Sequence, residues 1–217
     1  MTTHDTRYAA LESMLKLAPV VPVVVIHDAA HAVPLARALV AGGTPAIEVT
    51  LRTPMALDAI RAIAAEVEGA QVGAGTVLTP RSFNDAASAG ARFAVSPGFT
   101  PDLLDAADDS PIPLLPGAAT ASEVMALLER GFALQKCFAA EAIGGKALLR
   151  SWAGPLPGAR FCPTGGISAA NARDYLALPN VVCVGGSWLA PRQAVETGDW
   201  AAIEALARAA AAIGQPG

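Results

Sequence analysis

The chain alternates short strand-like runs with longer helix-like stretches eight times, and this repeated pattern restricts the possible folds more than any other feature. Short apolar runs predict the strands, and the stretches between them predict the helices. Strands and helices that alternate in this way build a parallel sheet covered by helices. Eight such units within 217 residues indicate an α/β fold, and we expect a compact (β/α)8 TIM barrel.

The predicted elements follow one another without a linker. Strands are expected at residues 20–26, 46–50, 71–75, 93–96, 112–115, 133–138, 160–163 and 181–184. Helices are expected at residues 31–41, 54–66, 80–89, 101–107, 122–130, 141–152 and 168–176, and the last within 200–213. Residues 1–217 are therefore expected to form one barrel domain, in which residues 1–18 supply an extra N-terminal helix that caps the barrel floor.

An open, doubly wound sheet is the alternative to a barrel. Turn residues recur after nearly every predicted strand, and no Gly-x-Gly-x-x-Gly sequence opens the first helix. Both observations favour the barrel. In such a barrel the reacting groups come from the carboxyl ends of the strands, so these ends are where the chemistry is expected.

The composition excludes several classes of protein. Hydrophobic residues make up 53% of the chain and charged residues 16%, so we do not expect disorder. The net charge of −4 and the scattered basic residues offer no patch for nucleic acid or for an anionic membrane. The charged N-terminal stretch does not match a signal peptide, and no apolar run is long enough to span a membrane. We expect a soluble, cytoplasmic protein.

Neither a cofactor nor a metal ion is expected from the sequence. The three histidines lie near the N-terminus without ligand spacing. The cysteines are odd in number, form no Cys-x-x-Cys pair and lie in strand-like runs, so we interpret them as small buried hydrophobic residues. These residues are Cys137, Cys162 and Cys183.

A lysine, Lys136, lies in the middle of the sixth predicted strand, within the run Leu-Gln-Lys-Cys-Phe. Burial disfavours an ammonium ion, so a lysine in such a place can act as a free, nucleophilic amine. One interpretation is therefore a lysine that forms an imine with a carbonyl substrate. The other is a structural lysine that pairs with a buried carboxylate or extends its amine out of the strand end.

Side-chain alternation suggests a partner for this lysine. In the second strand, Ile47 and Val49 share the aliphatic face that should meet the helices, so Glu48 is expected to point to the barrel axis. The same parity directs Lys136 inward together with Phe138. A carboxylate and an amine on one interior form a plausible acid–base and nucleophile pair. Arg52 and Thr76 at neighbouring strand ends favour a reactive site over a purely structural ion pair.

Glycine pairs follow the seventh and eighth strands. Thr164 leads into Gly165 and Gly166, and Gly186 leads into Ser187. Close backbone approach and exposed N–H groups make such loops suitable for anions, and these two loops are the usual phosphate position in barrels. The sequence therefore predicts a substrate with a phosphate at one end and a carbonyl near the lysine.

Several motifs closely resemble the bacterial 2-keto-3-deoxy-6-phosphogluconate (KDPG) and 4-hydroxy-2-oxoglutarate aldolases. The most specific are Glu-Val-Thr-Leu-Arg-Thr at 48–53 and Phe-Cys-Pro-Thr-Gly-Gly-Ile at 161–167, and the resemblance covers essentially the whole chain. Other matching runs are 21–24, 72–78, 96–98 and 184–189. The resemblance implies a homotrimeric class I aldolase that cleaves the phosphosugar acid to pyruvate and glyceraldehyde 3-phosphate, without a cofactor.

The same resemblance implies roles for individual residues. Lys136 matches the Schiff-base position and Glu48 the proton-transfer position. Arg52 and Thr76 match the positions at which the family binds the pyruvyl carboxylate. Pro97 and Phe138 match positions that line its substrate pocket. The phosphate-side positions are Thr164, Gly165, Gly166, Gly186 and Ser187.

Three residues depart from the family pattern. The family often reads Lys-Phe-Phe-Pro-Ala around the lysine, whereas this chain has Cys137 and Ala139 at the first Phe and the Pro. Ile143 stands where a polar residue is expected. Loss of the proline should free the loop after the lysine, and Ile143 could alter specificity.

Other functions remain open at this stage. They are an aldolase for the epimeric 2-keto-3-deoxy-6-phosphogalactonate, a phosphosugar isomerase with Glu48 as its base, and a phosphosugar-binding barrel without catalysis. The set of Glu48, Arg52, Thr76 and Lys136 argues against the non-catalytic barrel.

Overall fold

The computed structural model of the chain describes residues 3–214. The helices are α1 (Thr3–Leu15), α2 (Ala32–Ala41), α3 (Ala56–Glu66), α4 (Pro80–Ser88), α5 (Pro101–Asp108), α6 (Ala121–Glu129), α7 (Gly145–Trp152), α8 (Ala172–Leu176), α9 (Arg192–Thr197) and α10 (Trp200–Ala211). The strands are β1 (Val20–Val24), β2 (Ala46–Thr50), β3 (Gln71–Gly75), β4 (Ala94–Val95), β5 (Leu114–Leu115), β6 (Gly117–Ala118), β7 (Leu134–Phe138), β8 (Arg160–Thr164) and β9 (Val184–Gly186).

The strands are parallel and form one sheet in the order β5-β4-β3-β2-β1-β9-β8-β7-β6. The two ends of this order, β5 and β6, are consecutive in the chain and flank Pro116. The fifth strand is predicted to end at Leu115, but the structure continues it beyond Pro116 as β6. Proline has no N–H for the ladder, so the strand is interrupted there, and its two halves pair with β4 and β7. The sheet thus closes on itself, which confirms the predicted (β/α)8 barrel and excludes the open sheet.

Two apolar layers hold the barrel together. The outer layer lies between strands and helices and includes Ile47, Val49 and Cys137. The inner layer fills the lower barrel interior with Val21, Phe93, Val95, Leu115, Leu134, Cys162 and Cys183, together with Leu11 and Leu15 of α1. Helix α1 therefore contributes side chains to the barrel floor.

An ion-pair cluster ties α1 to the barrel. The carboxylate of Glu12 contacts the guanidinium of Arg160, in β8, and the amine of Lys16, from which it lies 2.5 Å away. Burial alone would raise the pKa of Glu12, but the hydrogen bonds from Lys16 and Arg160 outweigh burial and hold this pKa below its usual value.

The element boundaries differ from the prediction in the second half of the chain. Residues 141–143 form a 3₁₀ turn, and α7 begins only after Gly144, whose φ of 121° interrupts the helix. Helix α8 begins at Ala172 because the Asn171 side chain accepts a hydrogen bond from the Ser168 N–H and closes a turn. The last strand is displaced to Val184–Gly186, and α9 was not predicted. Within residues 3–214, no helix is long and apolar enough to cross a membrane.

Candidate active site

Lys136 and Glu48 meet inside the barrel. The distance between Lys136 Nζ and Glu48 Oε1 is 3.3 Å, and their side chains are only 5% and 4% exposed. Strands β7 and β2 carry these residues from opposite parts of the sheet, so the contact spans the interior. A buried amine and a buried carboxylate within hydrogen-bond distance are suited to acid–base chemistry as well as to an ion pair.

Glycine at position 75 makes room for the carboxylate. Gly75 lies beside Thr50 in the β2–β3 pairing and faces the interior. A Cβ atom at this position would lie 2.2 Å from Glu48 Oε1 and 2.6 Å from Glu48 Cγ. Any larger residue would therefore displace Glu48 from its present position.

Arg52 is held at the rim above this pair. Its Nε donates a hydrogen bond to Thr76 Oγ1 at 3.2 Å. The turn that carries Arg52 is fixed on both sides, because the Leu51 N–H donates to the Gly75 carbonyl and the Thr53 hydroxyl donates to the Ile26 carbonyl. The forked guanidinium is thus oriented while its terminal nitrogens can still bind a carboxylate.

A cavity of about 440 Å³ opens at the carboxyl ends of the strands. We call it the strand-end cavity. Its lining comprises Val23, Arg52, Phe138, Ala139, Glu141, Ala142, Thr164, Gly165, Gly166, Ile167, Gly185 and Ser187. Lys136 Nζ lies 5.1 Å from the centre of the Phe138 ring, so the buried amine is next to the cavity wall.

The Gly165–Gly166 turn presents donors to the cavity. The Gly165 carbonyl accepts a hydrogen bond from the Glu141 N–H, and the Gly166 carbonyl accepts one from the Asn171 side-chain amide. The Thr164–Gly185 pairing directs the Gly165 N–H toward β9, while no described residue is seen to accept a backbone hydrogen bond from the Gly166 N–H. With φ angles of 101° and 78°, the two glycines adopt a conformation that other residues rarely take. The turn and the nearby Ser187 hydroxyl suit an anion.

Three further residues that the sequence singled out do not line the cavity. Pro97 follows β4, and its carbonyl packs against Gly117. A Cβ atom on Gly117 would lie 2.2 Å from the Pro97 carbonyl oxygen. Gly186 packs against the Trp188 ring. Ile143 is half-buried in the outer apolar layer rather than in the cavity.

The loop after Lys136 is anchored despite its missing proline. The Ala140 N–H donates to the Thr164 carbonyl at 2.8 Å, and the Glu141 N–H donates to the Gly165 carbonyl at 3.1 Å. These bonds extend the β7–β8 pairing beyond both strands. Ala139 itself lies against Gly165, with 3.1 Å between its Cβ and a Cβ built on that glycine.

Sequence reasoning did not identify Glu141 as a site residue. It lies three residues after the end of β7, the strand that carries Lys136, and the sequence predicts it to begin a helix. The rule that located the other residues, namely that polar side chains at strand ends face the site, also applies to this carboxylate. The tyrosine that binds it, Tyr175, is distant in sequence and gave no signal.

Cys137 lies beside the reactive amine in sequence but not in space. It points into the outer apolar layer, and burial raises the pKa of its thiol to about 12. The thiol therefore stays protonated near neutral pH and cannot compete with Lys136 as a nucleophile. The part of the chain that the structure describes contains no group of three or more His, Cys, Asp or Glu residues placed to hold a metal ion.

Known proteins are similar to this chain in both sequence and fold. The family described as KDPG and KHG aldolase matches residues 11–206. The KHG/KDPG aldolase of Escherichia coli strain K12 is 57% identical over 199 residues, which cover 92% of this chain and 93% of the relative.

Two solved structures extend the comparison to three dimensions. A KDPG aldolase from Legionella pneumophila, with pyruvate captured as a covalent carbinolamine, has a TM-score of 0.90 at 46% identity and covers 92% of this chain and 97% of its own. A Zymomonas mobilis KDPG aldolase with 3-phosphoglycerate has a TM-score of 0.88 at 50% identity, over 94% and 95%. The chain therefore belongs to the KDPG and KHG aldolase family.

Proposed function

We infer that this chain is a class I aldolase, a carbon–carbon lyase, that cleaves 2-keto-3-deoxy-6-phosphogluconate to pyruvate and glyceraldehyde 3-phosphate. We further propose that it cleaves 4-hydroxy-2-oxoglutarate to pyruvate and glyoxylate. The observation that supports this most is the buried pair of Lys136 Nζ and Glu48 Oε1, 3.3 Å apart beside the strand-end cavity. Family membership supports the aldol reaction, and the Schiff-base role of Lys136 is our assignment.

The reaction begins at the substrate ketone. The neutral Lys136 amine attacks C2, and Glu48 carries a proton from the nitrogen of the adduct to the C2 oxygen, which gives a carbinolamine. A second proton, taken up from solvent through Glu48, converts the C2 hydroxyl to water, which leaves and gives a protonated imine. The 3.3 Å distance lets one carboxylate serve both proton transfers.

Bond cleavage follows from the positive charge on the imine. Glu48, directly or through a water molecule, accepts the proton of the C4 hydroxyl, and the C3–C4 electron pair moves toward the imine nitrogen. The aldehyde leaves and an enamine remains on Lys136. Protonation at C3 and hydrolysis of the imine release pyruvate and regenerate the amine.

Arg52 and the glycine turn fix the two ends of the substrate in this proposal. Arg52, oriented by Thr76, clasps the C1 carboxylate and so brings C2 to Lys136. The backbone N–H groups of the Gly165–Gly166 turn and the Ser187 hydroxyl bind the phosphate. Thr164 and Phe138 shape the walls of the site.

An assay with three substrates tests the substrate assignment. We expect kcat/KM for pyruvate release to be higher with the phosphogluconate than with its C4 epimer, 2-keto-3-deoxy-6-phosphogalactonate, and to be measurable with 4-hydroxy-2-oxoglutarate. A preference for the epimer would change the assigned substrate but leave the assigned reaction unchanged. Tight binding of all three without pyruvate release would contradict the aldolase and support a phosphosugar-binding barrel.

We also propose that the protein is a cytoplasmic homotrimer. Resemblance to the family supports the trimer, and Leu78 and Met125, which are 57% and 52% exposed, are apolar residues that an interface could cover. Light scattering during size-exclusion chromatography measures the mass directly. A mass near that of one 21.9 kDa chain would contradict the trimer.

A further inference from the structure

The carboxylate of Glu141 is an anionic group in the wall of the strand-end cavity that the proposed reaction does not use. Its side chain lies directly on the glycine turn, since a Cβ on Gly166 would be 2.6 Å from Glu141 Cβ and Cγ. Its backbone N–H is bonded to the Gly165 carbonyl at 3.1 Å. Glu141 therefore lies beside the groups assigned to the phosphate.

One oxygen of this carboxylate is fixed by a buried tyrosine. The Tyr175 hydroxyl donates a hydrogen bond to Glu141 Oε1, and Tyr175 is fully buried. The backbone of Lys146, in the first turn of α7, in turn hydrogen-bonds the tyrosine hydroxyl. Burial, followed by the bond to Glu141, raises the pKa of Tyr175, so the hydroxyl remains a donor.

The second oxygen remains available. Among residues 8–214, whose side chains the structure describes, Tyr175 alone is seen to donate a hydrogen bond to the Glu141 carboxylate, and no lysine or arginine is seen to pair with it. The other polar side chains in the cavity wall are Arg52, a pure donor, and the hydroxyls of Thr164 and Ser187. A hydroxyl group of a bound substrate thus finds its strongest acceptor at Glu141.

We propose that Glu141, oriented by Tyr175, accepts a hydrogen bond from the hydroxyl next to the phosphate-bearing carbon and so selects α-hydroxylated aldehydes. This proposal rests on the proposed function, because that function places the aldehyde half of the substrate against the Gly165–Gly166 turn. Glu141 is then a specificity-determining residue, and Tyr175 is a positioning residue. The chemical class recognised is a short phosphorylated aldehyde with a hydroxyl beside its carbonyl.

The test compares two aldehydes in the condensation with pyruvate. Glyceraldehyde 3-phosphate carries the hydroxyl, and 3-oxopropyl phosphate lacks it but keeps the phosphate and the chain length. We expect Glu141→Gln to lower the ratio of kcat/KM for these two aldehydes about tenfold, the typical effect of a lost charge-assisted hydrogen bond. Tyr175→Phe should lower the same ratio by a smaller factor, because the carboxylate remains but can rotate.

A matched control is available on the same helix pair. Asp174 precedes Tyr175, binds Lys146 at 2.5 Å and does not line the strand-end cavity. Asp174→Asn changes a carboxylate to an amide next to Tyr175 and should leave the ratio within about twofold of the wild-type value. Thermal unfolding of each variant shows whether the fold is kept.

Each other outcome overturns the proposal. An equal loss with both aldehydes would make Glu141 a structural support of the turn. A gain with both in Glu141→Gln would show that the carboxylate repels the phosphate. A failure of the proposed function is distinguishable, because the wild-type protein would then condense neither aldehyde with pyruvate.

Discussion

Two consecutive residues at the end of β3 serve the site in opposite ways. Gly75 contributes empty space for the Glu48 carboxylate. Thr76 contributes a hydroxyl, but it does so with a φ of 59°, a left-handed conformation that costs a branched residue about 1–3 kcal/mol. In this strained conformation the Thr76 hydroxyl accepts the hydrogen bond from Arg52. We interpret the strain as the cost of orienting the Arg52 guanidinium for a substrate carboxylate before substrate binds.

Substitution of Gly75 tests whether the position of Glu48 matters to the reaction. Gly75 has no positive φ, so Ala fits its backbone, but the added methyl must displace Glu48. We expect Gly75→Ala to lower kcat about 10²-fold, toward the 10²–10⁴-fold loss expected for Glu48→Gln. Steady-state kinetics and circular dichroism measure the two effects separately.

The control for this variant is Gly154→Ala. A Cβ at Gly154 meets no atom within 4 Å, so this change should leave kcat unaltered. If Gly75→Ala retained a kcat within about threefold of wild type while folded, the account of Glu48 as a positioned acid–base group would be wrong.

At the scale of elements, the barrel wall continues beyond its strands. The loops after β7 and β8 are joined by the Ala140–Thr164 and Glu141–Gly165 hydrogen bonds, so the wall of the strand-end cavity is built like an extension of the sheet. At the opposite end, α1 seals the floor with Leu11 and Leu15. The interior around Lys136 is thus filled by packed side chains toward the floor, and a hydrogen-bonded wall borders its open, strand-end side.

The tie between α1 and the barrel should depend on pH. Because the folded-state pKa of Glu12 lies below the ordinary 4.5, its ion pairs stabilise the fold above about pH 4.5 and lose this effect as the pH falls through the folded value. We expect Glu12→Gln to lower Tm by about 2 °C at pH 7, as for an ion pair of roughly 1 kcal/mol. The difference from wild type should vanish in acid.

Glu204→Gln is the matched control, because Glu204 pairs with Arg208 along its own helix and does not tie that helix to the barrel through any described side chain. Thermal unfolding followed by circular dichroism between pH 3 and pH 7 measures all three proteins. A Glu12→Gln difference that stayed constant across this range would mean that the carboxylate charge does not hold α1.

The parts of the site that could be predicted are those that depend on local geometry. Side-chain alternation along a strand places Glu48 and Lys136 inside the barrel, because it needs only the pattern of apolar neighbours. The contact of Arg52 with Thr76 depends on an unusual φ, and the Glu141–Tyr175 bond joins residues 34 positions apart. Such contacts follow from tertiary packing and left no pattern in the sequence.

At the scale of the whole molecule, closure of the barrel is what brings the reacting groups together. The two halves of the interrupted fifth strand join β4 to β7 around Pro116, whose carbonyl accepts the Lys136 N–H at 2.8 Å. The eightfold repeated pattern predicted the barrel correctly, whereas the break at Pro116 and the helix α9 required the structure. In an open sheet β7 would not face β2, and the lysine would have no carboxylate partner.

The central claim is that Lys136 is the residue that forms the imine, and borohydride trapping tests it most directly. The protein is treated with pyruvate and sodium borohydride together, digested and mapped by mass spectrometry, with Lys136→Arg as the control because a guanidinium cannot form the imine. We predict one reduced pyruvyl adduct, on Lys136, and none in the folded variant. No adduct, or an adduct on Lys16 or Lys146, would contradict the account.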